Sequence, residues 1–354
     1  MAETVEKASV AHHAHQPDND ALIDPQLLQM LLDTRHAMTV ESLALQRGCE
    51  QAAVLRELRR LREAGCTFHE HPQHGVRLAQ TGVETWMDYL RYSLGSHRLI
   101  EVYRCTASTQ DACRRLLTSH GLESEGAVVA AHEQTAGRGR LGRQWQAPPA
   151  AALTFSRACS LDSITPATGS NASATVDRIT FAASVAVAWA VEQMAFEYAD
   201  RRIAAQIKWP NDVCLEGRKL AGILVETCSL ENGIRAAVLG VGLNVGHWPR
   251  EEAARDPALA ARLTTLAAQG AGADRLRALV CTVKAIDSAL QCDQATLLAH
   301  WRQRCMQFDQ PIRVRCQGRM IEGWVVDLDP YEGLIVRSHL GEIVHLPAAT
   351  TTVI

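Results

Sequence analysis

At 354 residues and 47% hydrophobic content the chain exceeds the usual single domain and can bury substantial cores, so two or three domains are expected. Its formal net charge of −3 excludes a general pull toward nucleic acid or anionic membrane, and any such binding must be local. The 11 cysteines include no C-x-x-C pair and no Cys/His cluster of zinc spacing, which fits reduced thiols in the cytoplasm better than a disulfide framework. No uninterrupted apolar run reaches the roughly 18 residues of a membrane span, and the N-terminus lacks a signal-peptide pattern.

Residues 1–23, with His12, His13 and His15 and little apolar periodicity, are expected to form a disordered tail. From Pro25 the pattern turns helical. Leu27, Leu28, Leu31 and Leu32 share one face, a second helix opens at Thr39 and stops at Gly48, and a third runs from Glu50 to Gly65. Two extended runs around a Pro/Gly turn follow, to Leu78. Three helices and a hairpin spell a winged helix-turn-helix over 24–80. Its third helix carries Arg56, Arg59, Arg60 and Arg62 and would enter a DNA major groove. Between Pro25 and Leu78, however, seven arginines face six acidic residues, a thin excess for phosphate binding. Operator binding and a role in packing or protein contact therefore both stay open.

Residues 81–98 read as a linker helix. Leu99–Tyr103 reads as a strand, and Ser108-Thr-Gln-Asp111 precedes a helical stretch. Such a corner is either a helix cap or a set of side chains able to hold a polar ring edge. The apolar run Gly126–His132 then leads into Glu133-Gln-Thr-Ala-Gly137-Arg-Gly-Arg-Leu-Gly142-Arg-Gln-Trp145. Interleaved glycines and arginines let backbone come close to a ligand while guanidinium forks point at it, which suits anions. Solvated hairpin tips have the same composition. Ser160–Thr175 reads as an exposed loop, and Phe181–Tyr198 as an apolar helix.

Only four of the 36 basic residues are lysines, and two of them, Lys208 and Lys219, flank one strand-turn-strand segment. Strands are expected over about 203–208, 212–215 and 219–227, with Pro210-Asn211-Asp212 as a turn whose side chains could face a ligand or its metal. The next strand ends in Gly240-Val-Gly242-Leu-Asn244, where backbone can pack closely.

Taken together, Gly137-Arg-Gly-Arg-x-Gly142-Arg-x-Trp145, Lys208-Trp-Pro-Asn-Asp212, Arg218-Lys219-Leu-Ala-Gly-Ile-Leu-Val-Glu226 and Gly242-x-Asn244 resemble the biotin protein ligases. With the winged helix the chain resembles their bifunctional ligase-repressors, from Pro25 nearly to its end. The resemblance implies an α+β fold. It consists of the winged helix, a central mixed sheet with helices of the class II synthetase and lipoate-ligase type over 99–308, and a small SH3-like barrel over 309–354. It implies formation of biotinyl-AMP from biotin and ATP with Mg²⁺, then transfer to a lysine of the biotin carboxyl carrier protein of acetyl-CoA carboxylase.

By the same resemblance Ser108, Thr109, Gln110 and Gln134 would bind the ureido group and ring edge of biotin. Arg138, Gly139 and Arg140 would hold biotin and adenylate, and Gly222 would lie against the biotin. Lys219 would meet the carboxylate and the α-phosphate, with Lys219 and Arg140 the catalytic pair. Lys208, Asn211, Asp212 and Asn244 would lie on the nucleotide side, with Asp212 toward Mg²⁺ and Trp145 against the adenine. The partners implied are the carrier, operator DNA and a second copy of the chain in a homodimer, with no membrane. Two alternatives from other classes are a lipoate or octanoate ligase and a non-catalytic biotin-sensing transcription factor.

Overall fold

The computed structural model describes residues 22–149, 151–164, 172–230 and 235–354. The expected tail lies outside the described residues up to 21, as does the 165–171 part of the expected loop.

The chain begins with three helices, α1 (Pro25–Asp33), α2 (Val40–Arg47) and α3 (Gln51–Glu63). Asp24 caps α1 by accepting from the Gln26 and Leu27 amides, with Pro25 at the first helical position where no N–H is needed. Thr39 caps α2 through the Ser42 amide. The leucines at helical spacing on α1 meet Leu43, Val54, Leu58 and Leu61 in one buried cluster, each such side chain contributing about 1.5–3 kcal/mol. An antiparallel hairpin follows, β1 (Thr67–His71) with β2 (Gly75–Gln80). Gly75 has φ +87°, and a Cβ there would stand 2.0 Å from the Met38 carbonyl oxygen. A single 3-10 turn, Val83–Thr85, leads into α4 (Trp86–Leu94), shorter than the helix expected over 81–98.

Next come β3 (Ile100–Thr106), α5 (Thr109–His120), β4 (Val128–Gln134), β5 (Ala152–Ser160), α6 (Leu161–Ile164) and α7 (Ala172–Ala199). They are followed by β6 (Gln206–Lys208), β7 (Asp212–Leu215), β8 (Arg218–Ser229) and β9 (Arg235–Asn244). These strands form one mixed sheet in the order β3-β4-β5-β9-β8-β7-β6. β3 and β4 are parallel and the other pairs antiparallel. The period of two decides which helix each side chain meets. Val128 and Ala130 join the large core under α7, whereas Val129 and Ala131 join Ala112, Cys113 and Leu116 of α5 on the other face.

Two expectations are corrected here. Ser160 is the last residue of β5 and is buried, and the apolar helix begins at Ala172 rather than Phe181. The Ser/Thr/Ala composition that reads as an exposed loop belongs partly to the start of α7, where Thr175, Asp177 and Thr180 are buried. Thr175–Ala199 is long and apolar enough to cross a membrane by composition, but 78% of that window is buried inside the protein, so it is a core helix.

Beyond β9 lie α8 (Arg250–Arg255), α9 (Pro257–Arg262), α10 (Arg275–Gln291) and α11 (Gln294–Arg304). The chain ends in β10 (Pro311–Cys316), β11 (Arg319–Asp329), β12 (Gly333–Ser338), β13 (Ile343–Leu346) and β14 (Thr351–Val353). These make an antiparallel sheet in the order β13-β12-β11-β10-β14, around Val314, Val325, Leu334, Val336 and Leu346.

Candidate active site

The corner where β3 turns into α5 is both a helix cap and a polar floor. Ser108 caps α5 through the Gln110 amide, and Ser108, Thr109 and Gln110 are all buried. The Thr109 amide and hydroxyl donate to Gln134 Oε1 at 2.7 and 3.1 Å, and Ser156 of β5 donates to the Thr109 hydroxyl at 2.8 Å. Gln110 donates to the Leu224 carbonyl at 3.1 Å, and its own Oε1 is buried without a partner among the described residues. An unpartnered buried acceptor costs about 1–3 kcal/mol, so a ligand N–H arriving there would be favoured.

The arginine-glycine loop closes as a small hairpin, with Gly139 N–H on the Arg143 carbonyl at 2.7 Å and Trp145 N–H on the Gly137 carbonyl at 2.9 Å. Its two leading arginines point in different directions. Arg138 makes a two-pronged bond to Asp111 at 2.7 and 2.9 Å and a third to Glu226 at 3.0 Å. Hydrogen bonding from Arg138 holds the Asp111 carboxyl below the ordinary carboxylate range, the expected sign for a charge-assisted fork. Arg140 instead donates to the carbonyls of Ala348 and Thr351, with Asn211 Oδ1 at 3.5 Å. Burial pulls its guanidinium below its ordinary value, opposed by Asp177 and Asp212.

Glycine is required where Trp145 lands. A Cβ on Gly242 would lie 2.2 Å from the Trp145 ring, and one on Gly222 would lie 3.1 Å from it. Lys219 Nζ is 5.4 Å from the centre of the same ring and 2.6 Å from Asp212 Oδ1. Lys208 sits opposite Asp212 in the β6–β7 pairing. Asn211 donates to the Ile223 carbonyl at 2.7 Å and so braces β8. Asn244 is fully buried; it donates to the Thr264 carbonyl at 3.1 Å and leaves its Oδ1 without a partner among the described residues.

One cavity of about 700 Å³ collects these groups. Ser108, Thr109, Gln110, Gln134, Arg138, Gly139, Arg140, Trp145, Lys208, Asn211, Asp212, Lys219, Gly222 and Asn244 all line it. The lining also includes Arg143 of the same loop motif, and Trp248, Leu259, Arg262 and Thr351–Val353, which sequence reasoning missed. Trp248 follows Asn244 closely enough to have been noticed. Nothing in β14 itself signals that a strand over 100 residues away closes the cavity.

Arg56, Arg59, Arg60 and Arg62 do not line this cavity and are exposed on α3. Arg62 pairs with Glu70 at 2.6 Å, and Arg60 with Glu57 at 3.4 Å. Glu57 itself is buried and accepts from the Asp24 amide at 2.5 Å. One of the six acidic residues counted against the arginines is therefore turned inward.

A model of the biotin/lipoate A/B protein ligase family matches residues 102–244. The bifunctional ligase/repressor BirA of Bacillus subtilis is 29% identical over 58% of this chain, and the match spans 59% of that relative, less than two thirds of its length. The biotin–[acetyl-CoA-carboxylase] ligase of Mycobacterium tuberculosis is 32% identical over 70% of this chain and 90% of its own. Among solved structures, a variant biotin protein ligase from Aquifex aeolicus in complex with biotin aligns with a TM-score of 0.56 at 22% identity, covering 73% of this chain and 99% of that one, a likeness of fold. With 90% of the Mycobacterium tuberculosis ligase matched at 32% identity, and the loop, lysines and glycines of the cavity in place, the chain belongs to the biotin protein ligases.

Proposed function

We propose that the protein is an ATP-dependent biotin protein ligase. A biotin carboxylate oxygen attacks the α-phosphorus of ATP, the bond to the β-phosphate breaks, and pyrophosphate leaves biotinyl-AMP behind. A carrier lysine amine then attacks the acyl carbon, AMP departs, and the amine loses a proton. Both steps bring anions together, so cations and oriented donors matter more than an enzyme nucleophile. The observation that carries this reading is the convergence of four separate sequence segments on one cavity that puts two lysines and the loop arginines beside a buried, partly unpartnered amide floor. Relatives named as biotin–[acetyl-CoA-carboxylase] ligases support biotin as substrate and a carboxyl carrier protein as acceptor.

On this reading Ser108, Thr109, Gln110 and Gln134 hold the ureido edge, and the free Oε1 of Gln110 accepts a ureido N–H. Lys219 meets the carboxylate and α-phosphate. Arg138, Gly139 and Arg140 hold biotin and the adenylate, Lys208, Asn211 and Asn244 serve the nucleotide, and Trp145 packs against the adenine. Asp212 suits Mg²⁺, because that ion takes one or two carboxylates together with phosphates and waters. The ion would supply neutralisation of phosphate charge.

The three helices and hairpin over 24–80 are read as a winged helix, 81–98 as its linker, 99–308 as the catalytic unit and 309–354 as an SH3-like domain. DNA binding is supported by the four exposed arginines of α3 with Glu57 turned away and by relatives named as repressors. A homodimer through the edge strand β3 would extend the sheet. The eleven free cysteines suit the cytoplasm. Biotin-dependent exchange of labelled pyrophosphate into ATP tests the first step directly. Exchange with biotin and none with lipoate or octanoate supports the reading, and the reverse preference replaces it.

A further inference from the structure

Arg275 is an arginine in the wrong place by ordinary rules. It is the first residue of α10, where the helix dipole disfavours a cation, and it is 5% exposed. No ion pair to it is present among the described residues. Its Nη1 donates to the His132 carbonyl at 3.2 Å and to the Ala152 carbonyl at 3.3 Å, while its Nη2 is buried without a partner among the described residues. A buried cation whose hydrogen bonds go only to carbonyls is expensive to maintain. Burial draws its guanidinium below the ordinary value, and the nearby Asp274 opposes that.

The two carbonyls it joins have a meaning in the chain. His132 lies in β4, two residues before its last residue Gln134 and the loop that carries Arg138, Arg140 and Trp145, and Ala152 opens β5 after that loop. Arg275 therefore ties together the two roots of the ligand loop. Its guanidinium carbon also lies 5.5 Å from the centre of the Trp86 ring, which is fully buried at the start of α4. Trp86 donates to the Thr81 hydroxyl at 3.2 Å, and Thr81 donates through its amide and hydroxyl to Asp274, both at 2.8 Å. Thr81 directly follows β2, the second strand of the N-terminal hairpin.

We propose that Arg275 is a positioning residue that sets the width of the ligand loop's base, and that through Trp86 and Thr81 it joins that base to the N-terminal helical unit. It touches no ligand in this account and acts only through the loop. The role in biotin use rests on the ligase reading, whereas the effect on the loop does not.

The test compares Arg275→Lys and Arg275→Met with Asp287→Asn. Asp287 is on the same helix and pairs with Arg157 and Arg98 at 2.9 and 2.7 Å, so its variant loosens the packing of α10 on the sheet without touching the loop roots. Each full-length protein is assayed for melting temperature, trypsin cleavage within 138–143, and the biotin dependence of pyrophosphate exchange. Arg275→Lys can satisfy both carbonyls only imperfectly; it should speed loop cleavage by about fivefold through more frequent local opening. It should also raise the KM for biotin by about tenfold with a smaller change in kcat. Arg275→Met should exceed it, and Asp287→Asn should lower the melting temperature with both readouts near wild type. Equal effects from Asp287→Asn, or a melting shift in Arg275→Lys with unchanged loop cleavage, would reduce Arg275 to a structural residue and overturn the proposal. Loop cleavage that follows the forecast without any biotin-dependent exchange in wild type would uphold the loop tie and overturn the ligase reading alone.

Discussion

Lys219 Nζ stands 2.6 Å from Asp212 Oδ1 across the β7–β8 pairing, with the centre of the Trp145 ring 5.4 Å away. The ammonium is thus held by a carboxylate and an aromatic face, aimed into the cavity before any ligand arrives. Lys219→Ala should leave biotin bound, because the floor of Ser108, Thr109, Gln110 and Gln134 is untouched, while adenylate formation falls by about 10²–10³-fold, the range for removing one oriented donor to developing charge. Calorimetric titration of biotin beside pyrophosphate exchange separates the two effects.

Gly242→Ala places a methyl group 2.2 Å from the Trp145 ring, and β9 cannot retreat because β5 and β8 pair with it on both sides. Trp145 must move. The expected result is a loss of about 1–3 kcal/mol of stability from overpacking and weaker nucleotide binding, read by thermal unfolding and by titration with a non-hydrolysable ATP analogue.

Asp177 of α7 is buried, and burial pushes its carboxyl up to about 6, opposed by the Ala348 N–H at 3.2 Å and by Arg140. Because its folded value lies above the unfolded one near 3.9, its contribution to stability is full below about pH 4 and is lost as pH rises through 6. Asp177→Asn should therefore raise the melting temperature at pH 8, by an amount equivalent to about 1–3 kcal/mol. Near pH 4 the advantage should vanish. A pH series of melting curves for both proteins checks it.

Arg56 and Arg59 are exposed on α3, and no ion pair to either is present among the described residues. If α3 enters a major groove, replacing both with alanine should lower operator affinity at every sequence and reduce the salt slope by about 0.9 for each lost phosphate contact. Adenylate formation should be unchanged. Filter binding across a salt series, beside pyrophosphate exchange, reads both.

The residues that line the cavity were legible because each motif is local: glycines and arginines at fixed spacing, then lysines around a Pro-Asn-Asp turn. What completes the cavity was not, since Thr351–Val353 reach it only through tertiary packing. The helices α8 and α9 were also missed; they are six residues each with no apolar stripe, so periodicity had nothing to detect. The loop reading ran on to Thr175, inside α7, because a small polar residue such as Thr175 signals solvent in sequence yet is buried in the helix. Arg138 and Arg140 look equivalent in sequence, yet one is locked to Asp111 and Glu226 and the other reaches toward the C-terminal sheet. Such divergence depends on neighbours that a sequence does not display.

The central claim is most directly tested by mixing the purified protein with biotin, MgATP and a biotin carboxyl carrier domain, and following the carrier's mass together with AMP release. The account predicts one biotinyl group added per carrier, at its lysine, with one AMP released for each. Biotin binding without mass gain would contradict it and favour a biotin sensor, while transfer of lipoate or octanoate in place of biotin would assign the cavity to the other acyl substrate.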